Sequence, residues 1–331
     1  MSKILILGGA NFVGRNLLNE LQKSKKHQIT LFNRGRTNSE LFPEFERIVG
    51  DRNSQDVQQL AQQDWDYIID ISCYYPASLA AILKTISFKQ LKRYIFVSTC
   101  SVYNHKQYPS DQPTLEDDPI LSCTKEQETS ELPAAYGEKK VACEQLLAAA
   151  GIDYISLRPG LIYGAYDYTD RFYYWLYQVQ KKDCLLLPNN GASLFSVTYI
   201  DDLVQAILEA LSHPKPSKLY NVISQTQISI QKIVDTACSL LDKAPKRVNA
   251  PATFLQEQKI SEWIEMPIWV DGNYFTFSNQ KLVTDFSFKL SDWTASVAAT
   301  IAYYQALDWP VPTYGISEEQ RLDLLDLLTT A

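Results

Sequence analysis

Tyr136 and Lys140 are the residues whose types and spacing most directly suggest chemistry. They stand four positions apart at the start of the helical segment YGEKKVACEQLL, which places both on one helix face, about 5–6 Å apart at Cβ. A lysine ammonium near a phenol favours the phenolate and lowers the pKa of the tyrosine, so proton transfer near neutral pH becomes feasible. The earlier segment YIFVST ends in Ser98 and Thr99, which offer hydroxyl groups to the same chemistry.

A second pair with the same spacing, Tyr177 and Lys181, needs a different interpretation. It follows a run of aromatic residues and lies outside the alternation of strands and helices that frames the first pair. Active residues of parallel sheets gather where strands end, and Tyr136 lies between two such strand ends. We therefore expect Tyr177 to pack and Lys181 to be solvated.

The segment GGANFVG follows the apolar run KILIL and opens a helical segment. Glycines in this position allow a tight turn and close approach of a pyrophosphate, and the helix N-terminus faces the anion. Asparagine tolerates a positive φ, so we expect Asn11 to hold the turn. A strand-to-helix turn without a ligand is the alternative. The residues expected to contact a cofactor are Gly8, Gly9, Asn11, Phe12, Val13 and Gly14.

The end of the second strand bears on which cofactor is bound. A carboxylate there would hold the ribose hydroxyls of NAD, but the sequence reads Asn33, Arg34, Gly, Arg36. Two guanidinium groups suit a 2′-phosphate, so NADP is favoured over NAD, with a solvated basic turn as the alternative. Asp51, followed by Arg52, ends the third strand and could reach the adenine amino group or cap the next segment.

Strand-like and helix-like segments alternate along the first half of the chain. This order predicts an α/β fold with a doubly wound parallel sheet, a Rossmann fold, and a smaller mixed α/β C-terminal substrate domain. The segment DYISLRPGLIY is expected to be the sixth strand. We predict a dinucleotide-binding domain over 1–160, with 194–224 returning to it, and a substrate-binding domain over 161–193 and 225–331.

Composition narrows the function further. The chain has 331 residues, 46% hydrophobic and 21% charged, as in globular proteins. A net charge of −7 argues against a general nucleic-acid binder. Six scattered cysteines and three distant histidines show no metal-ligand spacing, so no metal is expected. No signal peptide or membrane-spanning run is present, which predicts a cytoplasmic protein without a membrane partner.

The order of these motifs resembles the short-chain dehydrogenase/reductase superfamily, in particular its extended NAD-dependent epimerase/dehydratase branch. The likeness runs from about residue 3 to residue 240 and includes SVTYIDDLVQAI; GGANFVG, FNRG and RPGLIYGAYDYTDRF resemble an atypical subgroup. The resemblance implies that Thr99 hydrogen-bonds the reacting oxygen and Tyr136 moves the proton. Lys140 would tune Tyr136 and bind the cofactor ribose, and Ser98 would be the fallback hydroxyl. The cofactor would thus also contact Ser98, Tyr136 and Lys140. A homodimer is a further expectation from the family.

One departure from the family limits the reaction. Its 4,6-dehydratases carry Asp-Glu directly after the catalytic threonine, whereas this chain has Cys100 and Ser101, so that dehydration is disfavoured. Cys100 could be a substrate contact, although a small buried residue is the simpler interpretation. The aromatic segment after the sixth strand could stack a flat ring, and an arginine there could hold an anion. Tyr163, Tyr166 and Arg171 are the substrate candidates.

The sequence therefore predicts an NAD(P)-dependent oxidoreductase or epimerase that transfers a hydride at a hydroxyl or carbonyl carbon of a sugar-like or nucleotide-sugar substrate. An NADPH-dependent reductase of a non-sugar carbonyl compound is one alternative. A non-catalytic nucleotide-sensing or RNA-binding member of the superfamily is another, against which the motifs for catalysis and the negative net charge both argue.

Overall fold

A parallel sheet of seven strands forms the centre of the computed structural model, which describes residues 1–105, 112–131, 135–214, 218–272 and 274–330. The strands are β1 (Ser2–Leu7), β2 (His27–Asn33), β3 (Glu46–Val49), β4 (Tyr67–Asp70), β5 (Arg93–Val97), β6 (Tyr154–Pro159), β7 (Leu161–Tyr163), β8 (Cys184–Pro188), β9 (Leu194–Tyr199), β10 (Leu219–Val222), β11 (Gln225–Ser229) and β12 (Lys246–Ala250). The central sheet has the order β10-β6-β5-β4-β1-β2-β3. The doubly wound fold is confirmed.

Helices cover both faces of this sheet. They are α1 (Phe12–Ser24), α2 (Pro76–Thr85), α3 (Lys125–Thr129), α4 (Tyr136–Ala149), α5 (Arg171–Lys181), α6 (Ile200–Ala210), α7 (Ile230–Leu241), α8 (Ala252–Glu257), α9 (Gln280–Asp285), α10 (Trp293–Ala306) and α11 (Glu318–Thr330). The segment SQDVQQLAQQ, expected to be helical, contains a 3₁₀ helix over Gln55–Gln62. No helix in the described part of the chain is long and apolar enough to cross a bilayer.

The strand order reverses between β1 and β4, and this reversal decides where a ligand can enter. On one side of β1 lie β2 and β3. On the other side lie β4, β5, β6 and β10. The connections from β1 and β4 leave the sheet in opposite directions and open a crevice at the carboxyl ends of the strands. Residues Ile4–Leu7 of β1 are at most 1% exposed, because helices cover both faces.

The expected sixth strand is broken at Gly160. Residues before it form β6 in the central sheet, whereas those after it form β7, which pairs with β9 in a separate three-stranded sheet. A Cβ at Gly160 would lie 3.2 Å from the Ser196 backbone oxygen, so the glycine lets the two sheets approach each other.

The segment expected to return to the first domain divides between the two sheets. β9 pairs with β7 and β11, while α6 packs on α1 and β10 extends the central sheet beside β6. The loop-rich region 245–290 contains β12, which pairs with β8, and the short helices α8 and α9. The domain boundaries drawn from the sequence stay a prediction.

Candidate active site

A cavity of about 1090 Å³ opens at the carboxyl ends of the central strands. The glycine loop after β1 and the turns after β2 and β3 line one end. The ends of β5 and β6 and the start of α4 line the middle. The loop between β7 and α5, together with part of the 245–290 region, lines the other end. The cavity is large enough for a dinucleotide and a second molecule beside it.

The glycine loop has the geometry of an anion cradle. Gly8 and Gly9 have φ values of +109° and +98°, which side-chain-bearing residues rarely adopt. A Cβ at Gly14 would lie 2.3 Å from the Gly9 Cα, so only glycine lets α1 start so close to the loop. The N-terminus of α1, at Phe12 and Val13, lines the cavity, so the positive end of the helix dipole lies at its wall.

Asn11 does not hold a left-handed turn. Its φ is −132°, which is extended backbone, and its side-chain oxygen accepts a hydrogen bond from the backbone N–H of Phe12 at 3.0 Å. The positive φ values fall instead on the two glycines before it. Asn11 is thus the N-cap of α1, a role that asparagine fills well.

Both polar atoms of the Asn33 side chain are hydrogen-bonded to the protein backbone. Its amide nitrogen donates to the Gly8 backbone oxygen at 3.0 Å, and its amide oxygen accepts from the Gly35 backbone N–H at 3.0 Å. Arg34 and Arg36 flank that turn, are exposed, and line the cavity. Neither forms an ion pair within the described residues. Their guanidinium groups remain available to an anion.

Arg52 also has a structural partner. Its guanidinium binds both carboxylate oxygens of Asp70 at 2.8 Å, and Asp70 accepts a third hydrogen bond from the Tyr94 hydroxyl. Asp51, beside it, lines the cavity and accepts from the Asn53 backbone N–H. Arg52 therefore shapes the wall of the cavity, whereas the carboxylate of Asp51 is open at its edge.

Thr99, Tyr136 and Lys140 meet in the middle of the cavity. Thr99 directly follows Ser98 at the end of β5, and Tyr136 begins α4. The hydroxyl of Tyr136 is hydrogen-bonded to Thr99. Ser98 is 3% exposed, and its hydroxyl has no partner among the described residues. The structure thus places in one cavity Thr99, Tyr136, Lys140 and the fallback hydroxyl, Ser98.

Lys140 does not act on Tyr136 as expected from the sequence. Its ammonium donates to the Val97 backbone oxygen at 2.8 Å and lies 4.7 Å from the centre of the Phe96 ring. Burial raises the pKa of Tyr136 to about 12, and the hydrogen bond with Thr99 works only partly against it. Tyr136 therefore holds its proton at neutral pH in this structure.

The second pair, Tyr177 and Lys181, lies on α5 away from the cavity. The ring of Tyr177 packs against that of Tyr173 at 6.0 Å, and Lys181 is exposed. This placement fits the interpretation of Tyr177 as a packing residue.

Three of the four substrate candidates lie outside the cavity wall. Cys100 is fully buried, and its thiol donates to the Arg158 backbone oxygen at 3.2 Å. Tyr163 is fully buried and hydrogen-bonded to Ser296 at 2.7 Å. These interactions turn both side chains into the core, which corrects the expectation that they contact substrate.

Tyr166 is the third candidate that the structure places elsewhere. The Arg15 guanidinium lies 3.8 Å above the Tyr166 ring, and this stacked pair ties α1 to the loop before α5. Arg171, in contrast, lines the cavity. Its guanidinium lies 4.7 Å from the Tyr314 ring centre, and its Nε has no partner in the described residues.

Several residues of the cavity wall had no role in the sequence analysis. Tyr74 follows β4, and Asp167 and Tyr168 follow β7, so the rule that active residues follow strand ends could have found them. His105, Trp263, Tyr274 and Phe275 form an aromatic end wall. Burial lowers the pKa of His105 to about 4, so this wall carries no charge from His105 at neutral pH. Nothing in the loop-rich sequence around Trp263 signals this position.

Comparison with known proteins identifies a matching family and two similar proteins. The profile of the NAD dependent epimerase/dehydratase family matches residues 4–223. The chain is 26% identical over 253 residues to the chloroplast stem-loop binding protein of 41 kDa b of Arabidopsis thaliana, covering 72% of this chain and 62% of that protein. It is also 26% identical over 277 residues to the UDP-N-acetyl-alpha-D-glucosaminuronate decarboxylase of Bacillus cytotoxicus, covering 75% and 83%.

Solved structures share the fold. The UDP-glucuronic acid 4-epimerase of Bacillus cereus, in complex with UDP-glucuronic acid and NAD, superposes with a TM-score of 0.71 at 19% sequence identity. The match covers 92% of this chain and 99% of the epimerase. The chain spans less than two thirds of the length of the Arabidopsis relative, and nearly the full length of the epimerase.

Proposed function

The chain belongs to the NAD-dependent epimerase/dehydratase family, and we propose that it is an NAD(P)-dependent oxidoreductase or epimerase acting at a hydroxyl or carbonyl carbon of a sugar-like, nucleotide-linked substrate. The observation that carries this proposal is the meeting of Thr99, Tyr136 and Lys140 in one cavity with the glycine loop. A pure binding module would not need a buried phenol held by a hydroxyl at a strand end.

The residues present fit a nicotinamide dinucleotide. Gly14 leaves no room for a Cβ beside Gly9, the α1 N-terminus faces the cavity, and the buried Ser98 hydroxyl lacks a partner in the described residues. When bound, such a cofactor supplies or accepts the hydride. Lys140 places a positive charge at the end of β5, and two of its three N–H donors have no hydrogen-bond partner among the described residues, so a ligand could accept them.

Tyr136 performs the proton transfer in this proposal. Because its pKa is raised to about 12, it is a neutral donor at pH 7 and can give its proton to an oxygen that becomes a hydroxyl. The hydrogen bond with Thr99 orients the phenol, and Thr99 stands beside the oxygen that receives the proton. In the reverse direction Tyr136 must first lose its proton, for which a nearby positive charge is required.

The test of this assignment is Tyr136→Phe, with Tyr177→Phe as the matched control. Each removes one phenol from a Tyr-x-x-x-Lys sequence, but only Tyr136 lines the cavity. We expect Tyr136→Phe to lower kcat by about 10²–10⁴-fold, the usual contribution of a positioned acid–base group. Tyr177→Phe is expected to retain activity. Unchanged turnover of every accepted substrate by Tyr136→Phe would show that the assignment is wrong.

We further propose a preference for NADP over NAD. Two observations support this preference. Arg34 and Arg36 are exposed and form no ion pair within the described residues, and position 33 carries an asparagine in place of a carboxylate. Arginine grips a phosphate bidentately, so each side chain can contribute to binding of a 2′-phosphate. Fluorescence titration should give tighter binding of NADPH than of NADH. Replacing Arg34 and Arg36 with alanine should remove that difference, whereas Lys89→Ala, an exposed cation away from the cavity, should preserve it.

Two related activities can be separated by one measurement. A reductase of a non-sugar carbonyl compound consumes NADPH stoichiometrically, whereas an epimerase recycles its cofactor. Following absorbance at 340 nm during product formation distinguishes them, because only net consumption changes the signal.

Likeness to the chloroplast stem-loop binding protein gives RNA binding a specific reason to be tested. The net charge of −7 opposes it, because RNA affinity rests on phosphate contacts with cations. A gel shift with stem-loop RNA at physiological salt is the direct measurement. A homodimer, expected from the family, is tested by light scattering of the purified protein.

A further inference from the structure

Asp167 is a buried carboxyl group in the cavity wall, and one of its two oxygens accepts no hydrogen bond from the described residues. It lies in the loop between β7 and α5 and is 5% exposed. Its Oδ1 accepts hydrogen bonds from the backbone N–H of Thr169 at 2.9 Å and from the Thr169 hydroxyl at 2.8 Å. Its Oδ2 accepts no hydrogen bond from any described residue.

No cation of the described residues forms an ion pair with this carboxylate, and Arg171 acts on it only through longer-range attraction. Arg171 lines the same cavity, but its guanidinium lies over the Tyr314 ring and forms no ion pair with Asp167 in the described structure. The neighbouring Asp170 is occupied by the Tyr304 hydroxyl and by Thr313. A buried carboxyl without a partner for its charge is costly. Burial raises the pKa of Asp167 to about 6, although the hydrogen bonds from Thr169 oppose this.

Asp167 shares a cavity with Tyr136, the group that moves the proton. The hydroxyl of Tyr168 interacts electrostatically with both Asp167 and Tyr136, and all three residues line the cavity. Tyr136 comes from α4 and Asp167 from the β7–α5 loop, so the two reach a ligand from different elements. A ligand in this cavity is therefore exposed to Tyr136 from one element and to Asp167 from another.

We propose that Asp167 determines substrate specificity, with its free Oδ2 accepting a hydrogen bond from a second hydroxyl of the substrate beside the oxygen that Tyr136 protonates. This inference rests on the proposed function and assigns the residue that would contact a second hydroxyl of its sugar-like substrate. A simple carbonyl compound would leave the carboxylate without a donor, and sites built to bind a hydroxyl strongly reject analogues that lack it.

The experiment measures binding by calorimetry to NADPH-loaded protein. The probes are UDP-, GDP- and dTDP-linked hexoses, each paired with its own free nucleoside diphosphate, so that the ratio isolates the hexose. We expect at least one hexose to improve binding by about tenfold or more in the unmodified protein, as a charge-assisted hydrogen bond allows. Asp167→Asn, which replaces the free acceptor by a donor and keeps the oxygen that holds Thr169, should reduce that ratio to near one.

The matched control is Asp170→Asn. Asp170 is a carboxylate of the same loop that does not line the cavity, so the hexose ratio should stay as in the unmodified protein. The inference is overturned if Asp167→Asn keeps the ratio, if Asp170→Asn loses it equally, or if no hexose adds affinity to its nucleotide. In the last case normal NADPH binding and a normal Tyr136→Phe result would leave the proposed function intact. Failure to bind either NADPH or NADH would refute the proposed function itself and this inference with it.

Discussion

The side-chain amide of Asn33 donates to the Gly8 backbone oxygen across 3.0 Å, and its oxygen accepts from the Gly35 backbone N–H. One side chain thus joins the glycine loop after β1 to the basic turn after β2. These are the two segments expected to hold opposite ends of the adenosine diphosphate part of a cofactor, and Asn33 fixes their separation.

Asn33→Ala should therefore lower both stability and cofactor affinity. Two hydrogen bonds of a half-buried amide are lost, which we expect to reduce the free energy of unfolding by about 1–3 kcal/mol. Arg34→Ala should weaken NADPH binding without loss of stability, because Arg34 is exposed and makes no ion pair in the described residues. Urea unfolding and NADPH titration of both variants measure the two effects. Equal stability of Asn33→Ala and the unmodified protein would contradict the role of Asn33.

Gly14→Ala should disrupt the start of α1. The added Cβ would lie 2.3 Å from the Gly9 Cα, a backbone atom that can move only if the loop opens. We expect destabilisation of about 1–3 kcal/mol and weaker NADPH binding, as for overpacking elsewhere. Asn19→Ala, a partly exposed position on the same helix, is the control and should be neutral or slightly stabilising. Thermal unfolding and titration distinguish the two, and a Gly14→Ala variant that melts like Asn19→Ala would refute the prediction.

The two directions of the reaction should differ in pH dependence. Tyr136 keeps its proton from pH 6 to 9 because its pKa is about 12, so it can donate throughout this range. Reduction of a carbonyl at saturating substrate should therefore be flat over pH 7–9. Oxidation needs the phenolate, whose fraction rises up to about tenfold per pH unit, so its rate should rise with pH. Steady-state kcat in both directions is the measurement, and an oxidation rate that falls as pH rises would contradict this assignment of the base.

Asp167→Asn should stabilise the protein at high pH and not at low pH. The pKa of Asp167 is about 6 in the folded chain against 3.8 for an ordinary aspartate, so ionisation costs folding free energy as pH rises from about 4 to 6. Asparagine carries no such cost. The variant should gain up to about 3 kcal/mol at pH 8 and almost nothing below pH 4, since one pKa unit corresponds to about 1.36 kcal/mol.

Urea unfolding of the variant and the unmodified protein at pH 4 and pH 8 gives this difference. Other groups that face the loop, namely Asp170, Arg171 and Tyr304, are common to both proteins and cancel in the comparison. The same stability difference at both pH values would show that the carboxyl group of Asp167 is not strained in the folded state.

Local patterns account for what could be predicted of the fold. Strand β1 is buried on both faces and therefore reads as a continuous apolar run, and the helices that follow the strands show an amphipathic repeat. The spacing of Gly8, Gly9 and Gly14 predicted the loop for a similar reason, since the turn and the first helical residues are set within seven positions. The expected sixth strand extends too far along the chain, because only the approach of the Ser196 backbone reveals the break at Gly160.

The sequence by itself determined the doubly wound sheet, the glycine loop and the grouping of Thr99, Tyr136 and Lys140, because helix periodicity and strand ends fix those positions over short distances. The tertiary structure alone decided which side chains face the cavity. Cys100 and Tyr163 turn into the core because partners from distant segments, Arg158 and Ser296, satisfy them there. Asp167 stays in the cavity wall with a free Oδ2 because no distant segment among the described residues donates to that oxygen. Pairings between distant segments cannot be inferred from local spacing.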